Sequence, residues 1–157
     1  MRRRRFAFSN YGDAEARTRA EDALGSIDIP SPLSVESVIG ICSSITGRPI
    51  RVEEAPALRH SATGGLAIRQ TECIIHLAPG LTPLLHQQTI LHELAHIIIG
   101  LHDHDEELFD SIGGRVAYYR NHTGSTTERA TEMLADHLAA AIRDSTHEPL
   151  EFESVFG

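Results

Sequence analysis

The sequence contains no run of eighteen apolar residues, so no segment of it reads as a membrane span. It opens on "MRRRRFAF", which lacks the apolar core of a secretory signal. Its two cysteines, Cys42 and Cys73, are too few and wrongly spaced for a disulfide framework or a C-x-x-C clip. Their apolar neighbours, "IGICSSI" and "ECIIHL", predict buried free thiols. With no signal, a reducing cytoplasmic setting is the expectation. There is no basic surplus either. The formal net charge of −8 argues against direct nucleic-acid binding by the whole surface. Internal repeats and long low-complexity segments are also missing. What remains, 157 residues of which 41% are apolar and 23% charged, fits one globular domain with a core of its own.

The hydrophobic pattern divides the chain. Residues 1–30 read as a short basic tail, Arg2 to Arg5, followed by a short surface helix over "GDAEARTRAEDALGSI" that ends near Gly25. Residues 31–145 read as the functional domain and 146–157 as a C-terminal tail. In the domain, "IPSPLSVESVIGICSSITGRP" carries Ser and Pro start signals and a stop at Gly47, which predicts a second helix. The period then changes. "PIRVEEA", "GGLAIRQ" and "CIIHLAP" predict a small antiparallel or mixed sheet between Ile50 and Ala78, with Thr71 and Glu72 in the last connection. Thr82 can cap the next helix, Pro83 suits its first turn, and Gly100 can close it. "DEELFDSIGGRVAYYR" reads as partly helical, broken at Gly113 and Gly114, and "STTERATEMLADHLAAAIRD" as the last helix.

The chemistry lies in "HELAH". His92 and His96 stand four residues apart inside a stretch apolar all round, "TIL" before and "IIIGL" after, and such a helix is a buried one. Four residues is about one turn, so both imidazoles can reach one metal ion, and Glu93 stands beside the first of them where it can take a proton from a metal-bound water. Core histidines hydrogen-bonded to backbone or to acids, with Glu93 at an exposed edge, are the alternative, but three buried polar side chains need compensation. A third ligand is required, and three candidates exist. His102 stands where H-E-x-x-H-x-x-G-x-x-H places its last histidine, but Ile99 occupies the glycine position and the glycine comes one later. Glu128 and Glu132 lie on the last helix. Glu128 with Glu132, or Glu132 with Asp136, gives a ligand carboxylate and a second carboxyl one turn on, suited to orient a ligating histidine. Glu128 also fits a capping box begun by Ser125. Spacing does not separate the two glutamates.

"GGLAIRQTECIIHLAPGLTPLLHQQTILHELAHIIIG" followed by "ERATEMLADHLAAAI" resembles the ImmA/IrrE family of metallopeptidases, over roughly residues 33 to 142. That family joins a small sheet, an H-E-x-x-H helix and a helix carrying E-x-x-[AC]-[NDE]-x-x-A. The last motif falls here on Glu128, Thr131, Glu132 and Ala135. The resemblance implies Glu128 as third zinc ligand and Glu132 as the group behind it. Ala95 stands where the family often has glycine, and "LAAAIRDSTHEP" lacks the family's Leu-Leu-Met-Pro-like end. With no helix-turn-helix module in front, the chain resembles the bare peptidase unit of regulators that relieve repression by cleavage or by binding.

The expectation is therefore an α+β, zincin-like fold and a zinc-dependent metalloendopeptidase. Its substrate would be a protein, such as a helix-turn-helix repressor, with no nucleic acid or membrane as partner. Zn2+ would be held by His92, His96 and Glu128, with Glu93 as general base. The substrate would add as a strand beside "CIIHL", and an oxyanion donor is needed, for which Tyr118, Tyr119 and His104 are candidates that also read as surface or packing residues. The alternative is a non-proteolytic binding protein with a structural or vestigial zinc site, for which Glu93 has no use.

Overall fold

The computed structural model describes residues 4–58, 62–102, 117–118 and 126–146, with side chains described for 12–58, 62–100 and 126–146. Among these residues lie four α-helices and a small mixed sheet, an α+β arrangement.

Local chemistry sets most of the boundaries. Helix α1 spans Arg4–Gly25. It begins before the position the pattern suggested, so Gly12 lies inside it. Helix α2 spans Val35–Thr46. Ser34 caps it by accepting from Ser37 N, and Gly47 ends it in the left-handed region at φ 63°, a conformation only glycine takes at little cost. Helix α3 spans Pro83–His102, with Thr82 Oγ1 accepting from Leu85 N at 3.3 Å at its start. Gly100 does not close it. The positive-φ glycines of the described residues are Gly47 and Gly80, and the buried run Ile97 to Ile99 carries α3 on to His102. Helix α4 spans Thr126–Thr146.

The strands are β1 (Ile50–Glu54), β2 (Gly64–Ile68), β3 (Cys73–Leu77) and a two-residue β4 (Ala117–Tyr118), in the order β1-β3-β2-β4. β2 and β3 form an antiparallel hairpin closed by Arg69 N donating to Glu72 O at 2.8 Å. β1 pairs with β3 in parallel, Ile50 opposite Cys73, so the sheet is mixed and not purely antiparallel. Alternating apolar residues mark a strand but carry no direction. Every residue of β3 is buried, as expected for a strand with a neighbour on each side.

Leu66, Ile68, Cys73, Ile75 and Leu77 turn one sheet face to the core. Against it packs α3 with Leu91, Leu94, Ile97 and Ile98, and α3 in turn packs against α2 and α4. Helix α1 lies along α4 with Ala16, Ala20 and Ala23 fully buried, and Asp13 pairs with Arg129 at 2.9 Å. The end of α4 is fastened by Leu33 N donating to Ser145 Oγ at 2.9 Å. The helix that carries the histidines is thus held on three sides, and α4 is held on two.

Candidate metal centre

The core position of α3 fixes the histidines. His92 and His96 lie one turn apart, with ring centroids at 4.8 Å and planes at 86°. Helix α4 brings Glu128 to them from its first turn, where the positive end of the helix dipole favours a carboxylate. Glu128 Oε1 stands 3.0 Å from His92 Nε2, and Oε2 stands 3.5 Å from His96 Nε2. One ligand atom from each of the three residues lies within 4.8 Å of the others. Four donors at tetrahedral zinc distances stand about 3.3 Å apart, so a small inward movement of these three suffices to hold an ion. Two imidazoles and a carboxylate are a donor set that suits zinc, and the group could hold a metal ion.

Burial governs the electrostatics. His96 is almost fully enclosed. Burial, and then the neighbouring His92, lower it to about 4, against the pull of Glu128. Burial also acts to lower His92, but the hydrogen bond to Glu128 and the charges of Glu93, Glu128 and Glu132 outweigh it, and its pKa is raised. Glu93 is 4% exposed, and burial pushes its carboxyl up to about 7, eased by His92 and reinforced by Glu128. Within the described residues the Glu93 carboxylate makes no hydrogen bond.

The group opens onto a cleft of about 360 Å³ lined by Thr63, Gly64, Leu85, Gln88, Thr89, His92, Glu93, Glu128, Glu132 and Asp136. Its floor is narrow because Gly64 of β2 runs against α3. A Cβ on Gly64 would collide with Thr89 Cγ2 and lie 3.1 Å from the His76 carbonyl and 3.5 Å from Glu93 Oε1. Gln88 Nε2 donates to Asp136 Oδ1 at 2.9 Å and ties α3 to α4 at the rim. Leu85, 41% exposed, is an apolar edge on the α3 side, beside the still more exposed Leu84.

His92, Glu93, His96 and Glu128 come together. Glu132 is exposed on the cleft wall, one turn from Glu128. Asp136, taken as a group to orient a histidine, holds Gln88 instead. His102 is the last residue of an unbroken α3, about 9 Å along the axis and about 120° round from His96, which turns its backbone position away from the shared ion. The strand "CIIHL" is internal, paired with β1 and β2, so no peptide can add to it; the sheet's outer strands in the described residues are β1 and β4. Tyr118 has its backbone in β4. Tyr119, His104, Ser125, Gly113 with Gly114, and the segment 147–157 lie outside the described residues. Pattern reading missed Gly64, Thr89 and Gln88. The pair "GG" opening β2 was a signal for the first, since glycine within a strand often marks a close backbone approach.

No family model matches the chain, and no curated protein or solved structure matches it either. No helix among the described residues is long and apolar enough to cross a membrane.

Proposed function

We propose that the chain is a zinc-dependent metalloendopeptidase of zincin-like build, related to the ImmA/IrrE peptidases it resembles, and that it acts on a protein such as a transcriptional repressor. The observation that carries this reading is the convergence of His92, His96 and Glu128 beside a buried Glu93 on one open cleft. His92, His96 and Glu128 would hold zinc, which supplies Lewis acidity to a water and to the scissile carbonyl. Glu93 takes the proton of the attacking water and delivers it to the departing amine. A carboxyl held near 7 by burial is well placed to do both at neutral pH.

An extended substrate would pass along the Gly64 end of β2, which lines the cleft.

The test is Glu93→Gln, which keeps the ligands and nearly the same shape but cannot take a proton. Zinc-loaded wild type incubated with a helix-turn-helix repressor encoded beside its gene should yield two fragments by mass spectrometry. Glu93→Gln should bind the same repressor and cleave it about 10²–10⁴-fold more slowly. Equal cleavage by the two proteins refutes the role of Glu93. Equal relief of repression in cells without cleavage would favour a binding protein that only sequesters its partner.

A further inference from the structure

Among the described residues the walls of the cleft carry charge of one sign: the lining holds four carboxyl residues, Glu93, Glu128, Glu132 and Asp136, and neither arginine nor lysine. Glu128, Glu132 and Asp136 stand at successive turns of α4 and so form a row leading outward from the histidines. Glu128 is engaged with His92 and His96. Asp136 uses one oxygen for Gln88, and an ionised carboxylate has a second with lone pairs to spare. Glu132 is exposed to the cleft and makes no hydrogen bond or ion pair with any described residue. A candidate for neutralising the row is Arg17 of α1. It shares a neighbouring recess with Asp136 and makes no ion pair with it. A second observation points to a ligand here: Glu93, 4% exposed, faces the same cleft and makes no hydrogen bond with any described residue.

From this we infer that the acidic row on α4 selects a cationic side chain, arginine or lysine, close to the scissile bond of the substrate. The inference rests on the peptidase reading of the site and names its substrate class. Low-dielectric walls of one sign concentrate field lines in a cleft and draw in the opposite charge. Glu132 and Asp136 lie about 6 and 12 Å along the helix from Glu128. That range equals about two to four extended residues at about 3.3 Å each. A guanidinium at one of those positions can reach both carboxylates, and its planar fork of donors suits the pair. Leu85 faces the row from the α3 side, so the neighbouring side chain of the peptide meets an apolar wall.

The experiment uses three labelled decapeptide pools with one fixed residue, arginine, glutamine or glutamate, among randomised neutral positions. Binding is read by fluorescence anisotropy on the zinc-loaded Glu93→Gln protein, and cleavage by mass spectrometry on zinc-loaded wild type. The arginine pool should bind at least about tenfold more tightly than the glutamine pool, and the glutamate pool most weakly. Adding Glu132→Gln with Asp136→Asn should bring the arginine preference to within about twofold. Adding Glu36→Gln with Asp144→Asn, the same charge change at exposed positions outside the cleft lining, should leave it intact. Equal binding of the arginine and glutamine pools, no binding of any pool, a preference that survives the cleft variants, or one lost equally in the outer-surface variants overturns the inference. Arginine-selective binding with no cleavage by wild type overturns the peptidase reading alone. Cleavage without arginine selectivity overturns this inference alone.

Discussion

Replacing Glu93 with glutamine should stabilise the metal-free protein above neutral pH while removing the group on which hydrolysis depends. Burial raises the Glu93 carboxyl from 4.5 to about 7 in the folded chain. A folded pKa above the unfolded one means that protonation favours folding. The carboxyl costs nothing below about 4.5, and its cost grows as pH rises through about 7. The shift of about 2.5 units corresponds to about 3 kcal/mol once the group is ionised. Glutamine has no charge to bury but keeps a polar amide there, which costs about 1–3 kcal/mol. The net gain should be about 1 kcal/mol above neutrality, or about 2–4 °C in Tm for a chain of this size. His96 and His92 titrate in both proteins, so most of their effect cancels in the difference. The assay is thermal unfolding by circular dichroism with a chelator present, at about pH 8 and about pH 5. Glu93→Gln should melt higher than wild type at the first pH and somewhat lower at the second, where the cost of the amide persists and most of the cost of the carboxylate has gone. A variant that melts lower at about pH 8, or that shows the same offset at both pH values, would refute the account of Glu93 as an acid whose ionisation is opposed by burial.

Three further outcomes follow from the same geometry. Glu128→Gln should weaken zinc binding in a competitive chelator titration by more than the roughly 10–100-fold typical of a residue that only supports a ligand, whereas Glu132→Gln should change it little. Gly64→Ala should lower stability by about 1–3 kcal/mol through overpacking against Thr89, and Thr89→Ser, which removes the methyl and keeps a hydroxyl for Leu85 O, should restore part of the loss in a thermal melt. Cys42, buried with its thiol pushed up to about 12 by burial and by Cys73, should resist alkylation in the folded protein near neutral pH and react only after denaturation, as followed by mass spectrometry.

The sequence exposed those parts of the molecule whose physics is local. Ser34, Gly47, Thr82 and Pro83 mark helix ends through bonds within a few residues, and they sit where such signals belong. His92 and His96 share a helix face because four residues make about one turn, whatever surrounds them. The boundary at Gly100 failed because a C-cap depends on the backbone turning left-handed, and the packing of Ile97 to Ile99 kept it helical. The direction of β1 was hidden because alternation is the same for parallel and antiparallel neighbours. Glu128 and Glu132 were equivalent by spacing, since the choice depends on how α4 lies against α3, a tertiary quantity. The Gln88–Asp136 bond and the approach of Gly64 to Thr89 were illegible for the same reason: each joins elements whose relative placement no local pattern encodes.

The packing of α1 along α4 has a consequence for where the chain can be cut. Helix α4 contributes Glu128, and the residue after it, Arg129, is tied to Asp13. The buried alanines of α1 belong to the same apolar cluster as Ala130, Leu134 and Leu138. A protein trimmed to begin near residue 30 would keep every metal-facing side chain. It would also bare an apolar stripe on the helix that positions one of them, and bared stripes recruit other surfaces. Such a fragment should self-associate, and its grip on metal should become dependent on protein concentration, because a second copy would take over the support that α1 gives in the intact chain.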